Sequence, residues 1–311
     1  MHQTSGNWRL GLALSLLTVF LWGILPIALS VTLRVLDTYT LVWFRFLAAF
    51  GLLAIYLQTQ GKLPTRKQLL ATSWQLLLIA TVFLAANYIL FLQGLALTSP
   101  ANAQVLIQLA PILMGFGGLI IFRERYNLVQ WGGIAVLTSG FGLFFHEKLS
   151  QSNTISTSLP NNPHNYLLGS GLIVLAAITW AVYALAQKQL LQTLSSANIM
   201  LILYGGCTLL FTFFALPQRL FSLDFFHWGM LIFCALNTLI AYGAFAESLE
   251  HWEASRVSAV LAITPIVTLF SVWLTSVFLP NLISPDKLTI PGIIGAILVV
   301  FGSMLIALGK R

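Results

Sequence analysis

The stretch from Gln68 to Phe122, QLLATSWQLLLIATVFLAANYILFLQGLALTSPANAQVLIQLAPILMGFGGLIIF, contains no charged side chain. A helix crosses a hydrocarbon core about 30 Å thick with about 20 residues, so this stretch is too long for a single span. Thr98-Ser99-Pro100 divides it, because proline lacks a backbone N–H and restricts the residue before it. The stretch therefore predicts two consecutive membrane helices joined by a tight turn.

The whole chain has the same apolar character. Apolar residues make up 58% of its 311 residues and charged residues 7%, whereas soluble domains average about 45–50% and about 25%. This composition excludes a soluble enzyme, a disordered tail and a fibrous protein. The net charge of +7 comes from Lys and Arg scattered between apolar runs, so we expect no nucleic-acid binding. Cys207 and Cys234 lie in apolar stretches and are predicted to pack, not to form a disulfide or a metal site.

The apolar runs predict an all-α integral membrane protein with ten transmembrane helices. Lys and Arg are more frequent in the loops on the side of the N-terminus, which places both termini in the cytoplasm. The first run is too long for a cleaved signal and is predicted to be a retained helix. The predicted helices span residues 10–33, 38–58, 70–97, 101–122, 127–145, 166–187, 197–217, 225–247, 255–279 and 289–308.

An internal repeat divides these helices into two groups of five. Ala110-Pro111-Ile112 corresponds to Thr264-Pro265-Ile266, and Tyr88 and Trp22 correspond to Tyr242 and Trp180. Residues 1–145 and 166–311 form the two repeats, and the polar segment 146–165 is an external linker. Because five is odd, the halves have opposite orientations in the membrane, which is typical of secondary transporters with a midplane substrate site.

Several motifs resemble one family. The segments GLALTSPA at 94–101 and LAPI at 109–112, followed by Glu124 and by QWGG at 130–133, resemble an EamA repeat of the drug/metabolite transporter superfamily. The resemblance implies ten helices in two inverted EamA repeats and transport of small metabolites. The second half departs from the pattern, because Leu279-Pro280-Asn281 stands where a counterpart of Glu124 would be.

Aromatic side chains near the middle of four predicted helices are candidates for a substrate cavity. An aromatic face with a few polar tips suits a small amphiphilic ligand, and the alternative is a position in the interfacial belts. On helix 4, Gln104 and Gln108 share a face with Pro111, and they either line this cavity or bond neighbouring helices. The predicted substrate-binding residues are Trp22, Asn87, Tyr88, Gln104, Gln108, Trp180, Tyr183 and Tyr242.

Two charged residues and three prolines have further candidate roles. Arg45 lies well within a helix and is expected to extend outward to water or to form a structural pair, with anion binding as the alternative. Glu247 is the candidate for proton coupling, since it is the carboxylate nearest the membrane. Pro26, Pro111 and Pro265 lie inside predicted helices and are candidate hinges.

These features favour a secondary transporter, predicted to be an exporter, that moves small neutral or zwitterionic metabolites across the plasma membrane by alternating access. A phosphorylated substrate would need several basic groups in the cavity, whereas aromatic rings and amides suit amino acids, ahead of nucleosides. We expect no cofactor and no metal. A proton-coupled transporter of drugs or of nucleoside- or sugar-type metabolites is the alternative. A channel or a membrane-embedded enzyme is disfavoured, because His and Asp occur only at predicted loops and helix ends.

Overall fold

The computed structural model describes residues 7–110, 113, 127–154, 163–251, 257, 260–280, 282 and 290–308. Every regular element in these ranges is helical. The helices are α1 Trp8–Thr32, α2 Thr38–Thr59, α3 Arg66–Ala71, α4 Trp74–Leu97, α5 Pro100–Leu106, α6 Leu128–Thr154, α7 Pro163–Leu190, α8 Ser196–Thr212, the 3₁₀ helix η1 Pro217–Ser222, α9 Phe225–His251, α10 Thr264–Phe278 and α11 Ile290–Leu308.

Five of these helices are long and apolar enough to cross a membrane, namely α1, α2, α4, α7 and α9. Shorter apolar segments lie within α6, α8, α10 and α11. The all-helical architecture expected of a multi-pass membrane protein is therefore present in the described ranges.

Side-chain caps fix where several helices begin. Asp37 accepts a hydrogen bond from the Thr40 N–H at 2.9 Å at the start of α2. Ser73 begins α4 and Ser99 begins α5 by accepting hydrogen bonds from the N–H groups of Leu76 and Asn102. Each cap satisfies a donor that the first helical turn leaves without a partner.

The most extensively packed helix pairs are α1 with α9, α4 with α7, and α6 with α11. In the last pair, glycines allow the backbones to touch. A Cβ on Gly140 would lie 2.8 Å from the Gly295 carbonyl oxygen, and one on Gly133 would lie 2.9 Å from that of Gly302. The residue number rises along α6 as it falls along α11, so these two helices are antiparallel.

Buried asparagine amides join the other two major pairs. Asn87 on α4 donates to the Ala176 carbonyl on α7 at 2.8 Å. Asn237 on α9 donates to the Leu21 carbonyl on α1 at 2.7 Å. These bonds fix the depth of one helix against the other in the centre of the bundle.

The predicted helix boundaries are wrong in three places. A break at Thr72 and Ser73 separates α3 from α4, whereas one helix was expected from residue 70. The helix predicted to reach residue 217 ends at Thr212 and is followed by η1. Around the predicted 146–165 linker, α6 extends to Thr154 and α7 begins at Pro163, because helical hydrogen bonding continues where the apolar run ends.

The helices predicted at 101–122 and 255–279 are not continuous in the described residues. The first ends as α5 at Leu106 and is followed by a turn at Ile107–Gln108, and the second begins as α10 at Thr264 after a turn at Ala262–Ile263. Prolines at 111 and 265 explain both turns, because neither can donate to the carbonyl four residues before it. The Ile107 carbonyl accepts from the Ala110 N–H instead, and the Leu261 carbonyl accepts from the Thr264 hydroxyl.

Candidate functional site

The centre of the α1–α9 contact is aromatic. The ring of Trp22 lies 5.1 Å from that of Tyr242 in an edge-on arrangement and 5.6 Å from that of Phe245. The Trp22 indole N–H is buried, and within the described residues it has no hydrogen-bond acceptor. A buried donor without a partner is costly unless another molecule supplies an acceptor.

Arg45 lies beside this aromatic contact. Its side chain is 2% exposed, so the expectation that it extends outward to water is wrong. The Nε atom donates to the Thr238 hydroxyl at 3.0 Å, and the guanidinium carbon lies 4.9 Å from the centre of the Tyr88 ring. Asp37, at the start of the same helix, pairs with Arg219 at 3.5 Å and not with Arg45. Tertiary packing against α4 and α9 therefore holds Arg45 inside the bundle.

Tyr88 connects this arginine to further tyrosines. Its ring lies 4.5 Å from that of Phe46, and its hydroxyl lies close to the side chains of Tyr242 and Thr238. The Tyr204 ring lies 5.8 Å from Phe46, and its hydroxyl donates to the Thr238 carbonyl at 3.2 Å. Helices α1, α2, α4, α8 and α9 thus contribute to one polar aromatic cluster, which we call the central cluster: Trp22, Arg45, Phe46, Tyr88, Tyr204, Thr238 and Tyr242.

Trp180 and Tyr183 form a second aromatic contact, on α7. Their rings lie 6.4 Å apart. The Tyr183 hydroxyl donates to the Met200 sulfur at 3.5 Å, and Gln187 donates to the same sulfur at 3.6 Å. The hydrogen bonds of the Tyr183 hydroxyl and the Gln187 amide are therefore weak, because a thioether sulfur is a poor acceptor.

Gln104 and Gln108 occupy α5 and the turn that follows it. Both residues are buried, with 7% and 6% of their surface exposed. Among the residues that the structure describes, none forms a hydrogen bond with either side-chain amide. Helix α5 ends between them, so they do not share one continuous helical face as predicted. Their amides retain donors and acceptors for a ligand or for residues outside the described ranges.

The remaining predicted residues are Asn87, Glu247 and the three prolines. The Asn87 amide is used in the bond to Ala176 that joins α4 to α7. Pro26 is buried inside α1. Pro265 lies in the first turn of α10 and not in a helix interior, which corrects its assignment, and Pro111 lies outside the described residues. Glu247 is 60% exposed and lies 3.9 Å from the His251 ring nitrogen.

Sequence reasoning missed Phe46, Tyr204 and Met200. Tyr204 lies in the middle of α8, so the criterion that selected the other tyrosines would also have found it. Phe46 and Met200 carry no signal, because buried apolar residues are common in every helix. Within the described ranges, no three His, Cys, Asp or Glu side chains lie close enough to hold a metal ion.

Comparison with known proteins identifies the family. A protein of Escherichia coli K12 described as "Uncharacterized inner membrane transporter YhbE" is 38% identical over the whole chain and 94% of its own length. A Haemophilus influenzae protein described as "Uncharacterized transporter" is 35% identical over 97% of the chain and 96% of its own length. A more distant E. coli K12 relative, 24% identical over 96% of the chain and 95% of its own length, is described as "Probable amino-acid metabolite efflux pump".

A solved structure has the same fold. It matches with a TM-score of 0.62 over 95% of each chain at 16% identity. The EamA-like transporter family matches residues 9–146 and 167–308, one match in each half. The chain belongs to the EamA-like transporter family.

Proposed function

We propose that this protein is a secondary transporter that exports small neutral or zwitterionic metabolites, such as amino acids, across the plasma membrane. The observation that carries the proposal is the central cluster, in which Trp22, Arg45 and Tyr88 from the first half meet Thr238 and Tyr242 from the second. Aromatic faces provide binding area, and hydroxyl, indole and guanidinium groups provide polar anchors.

The proposal includes ten helices arranged as two inverted five-helix repeats. In the repeat correspondence, α1 is equivalent to α7 and α4 is equivalent to α9. The contact between α1 and α9 is therefore equivalent to the contact between α7 and α4. Both pairs are among the most extensively packed. The antiparallel α6–α11 pair, one helix from each half, also agrees with opposite orientations. A transporter of this architecture has its substrate site between the repeats.

The turns after α5 and before α10 support alternating access. They occur at corresponding positions of the two halves, and α5 packs against α10. Interrupted helices at matching positions are the features around which inverted-repeat transporters rearrange. We propose that these two turns and the helix around Pro26 absorb the backbone changes of the transport cycle, with both termini remaining in the cytoplasm.

The proposed substrate class follows from the buried polar groups of the bundle. Within the described residues, Arg45 is the buried cation of the bundle centre, which disfavours substrates with two negative charges. The amides of Gln104 and Gln108 and the Trp22 N–H can bind amino, hydroxyl and carboxylate groups. The description of the E. coli K12 relative as an amino-acid metabolite efflux pump supports the same class.

The exposure of Glu247 supports exchange or facilitated diffusion over proton coupling. A proton-coupled transporter of drugs, nucleosides or sugar-type metabolites is the second candidate, because the aromatic lining also suits rings without charge. A channel or a membrane enzyme is disfavoured, since the described residues bring together neither a ring of charges nor an acid–base pair at the centre.

Counterflow in proteoliposomes tests the proposal. Labelled L-phenylalanine outside should accumulate transiently when excess unlabelled L-phenylalanine is inside. Gln108→Ala should slow this exchange, at a cost of about 1–3 kcal/mol in binding if the ligand group is left unpaired. Trp180→Ala should slow it by the loss of stacking area.

Gly142→Ala is a matched control, because nothing lies within 4 Å of the added methyl group. It should transport like the wild type. Robust uptake of glucose 6-phosphate by the wild type would reject the proposed substrate class. Equal exchange in all variants, with normal insertion, would place the site elsewhere.

A further inference from the structure

Arg45 has fewer protein partners than a buried guanidinium requires. Its five N–H donors include one on Nε, which is used by Thr238, and four on the terminal nitrogens. Within the described part of the chain, the four terminal N–H groups have no hydrogen-bond acceptor. The Tyr88 ring covers part of the guanidinium at 4.9 Å but supplies no negative charge. A buried charge of this kind is costly without an anionic partner.

The three carboxylates whose side chains the structure describes are engaged elsewhere. Asp37 caps α2 and pairs with Arg219 at 3.5 Å. Asp224 lies 2.6 Å from the His227 ring nitrogen, and Glu247 pairs with His251 at 3.9 Å. Each of these acids lies at or near the end of its helix, whereas Arg45 lies in the interior of α2. None of the three therefore pairs with Arg45.

We propose that Arg45 binds the carboxylate group of the transported substrate, an inference that rests on the proposed function. A guanidinium presents parallel N–H donors that match the two oxygens of a carboxylate. One carboxylate neutralises the single charge of Arg45, whereas a doubly charged phosphate would leave an excess negative charge in the bundle. The Tyr88 ring lies beside the guanidinium, and Trp22 and Tyr242 belong to the same cluster, so the surroundings favour a carboxylate attached to a ring.

Paired ligands that differ only at the carboxylate test this assignment. L-phenylalanine is compared with L-phenylalaninamide, and phenylacetate with phenylacetamide, by their dissociation constants for purified protein. The wild type should bind each carboxylate at least about tenfold more tightly than its amide, the effect expected of hydrogen bonds to a charged group. In Arg45→Gln, the two members of each pair should bind within about twofold of one another.

The ratio within each pair separates recognition from folding, because a general loss of stability weakens both ligands alike. Arg219→Gln is the matched control, since it removes an arginine that is half exposed and pairs with Asp37. It should keep the wild-type ratio. If Arg45→Gln does not fold, Arg45→Lys is the alternative variant. It keeps the buried charge but lacks the parallel N–H donors of the guanidinium, so the carboxylate preference should fall several-fold but remain.

The outcomes distinguish this inference from the proposed function. Tight binding of phenylacetate but not of L-phenylalanine, with the preference lost in Arg45→Gln, would support the carboxylate site and reject amino acids as substrates. L-phenylalanine exchange with no carboxylate preference, or with the same preference in Arg45→Gln, would overturn the inference alone. Absence of carboxylate binding by the wild type, or tighter binding of phenyl phosphate than of phenylacetate, would also overturn it.

Discussion

The close contact between α6 and α11 makes one glycine substitution especially informative. A Cβ on Gly302 would lie 2.5 Å from the Leu137 Cβ, 2.6 Å from the Leu137 N and 2.7 Å from the Gly133 carbonyl oxygen. Two of these atoms belong to the α6 backbone and cannot rotate away. Gly302→Ala should therefore force α6 and α11 apart.

Gly142 on α6 provides the comparison, because an added Cβ there meets nothing within 4 Å. Each alanine gains up to about 1 kcal/mol from its higher helix propensity. Overpacking a close contact costs about 1–3 kcal/mol. Since the propensity gain is the same in both variants, Gly302→Ala should be less stable than Gly142→Ala by about 1–3 kcal/mol.

Reversible unfolding in mixed micelles measures this difference, with helix content followed by circular dichroism. Gly142→Ala should unfold at the same denaturant concentration as the wild type or higher, and Gly302→Ala at a lower one. Equal midpoints for the two variants would refute the argument that backbone contact at Gly302 holds α6 against α11.

Three further predictions concern the site and its surroundings. Trp22→Phe removes an indole N–H that has no acceptor among the described residues, so stability without ligand should not fall, while the thermal shift produced by L-phenylalanine should shrink. Hydrogen bonds from the His227 backbone N–H and ring hold the pKa of Asp224 below its usual value of 3.8. The Asp224 contribution to stability is therefore present above that value and is lost as the pH falls through the lowered pKa, so the difference in melting temperature between Asp224→Ala and the wild type should diminish in acid. Glu247→Gln should retain transport that is independent of a pH gradient, and a collapse of transport in this variant would indicate proton coupling instead.

Much of the architecture can be predicted from the sequence. Charge-free runs predict apolar helices because the hydrocarbon core excludes charges. They do not predict where a helix ends in water, which is why α6 and α7 extend into the segment expected to be a linker. The motif Thr264-Pro265-Ile266 indicated correspondence between the halves, but only the backbone shows that Pro265 lies at the start of α10.

The candidate site was less predictable. The mid-helix positions of Trp22 and Tyr242 favoured a shared cavity, and the structure places their rings 5.1 Å apart. For Arg45, the position on α2 allowed either an outward or an inward side chain. The choice depends on Thr238 and Tyr88, which lie on helices distant in sequence, so no local pattern could decide it.

The most direct test of the central claim is whether the cluster between the two halves is reached by substrate from both sides of the membrane. A single cysteine at position 238, in a background with Cys207 and Cys234 replaced by alanine, places the probe beside Arg45. An impermeant thiol reagent is then added to oriented vesicles from the outside or from the inside, with and without L-phenylalanine.

Alternating access through the central cluster predicts modification from either side and slower modification when L-phenylalanine is present. Modification from one side only, or at a rate that L-phenylalanine does not change, would contradict a transport site at this position.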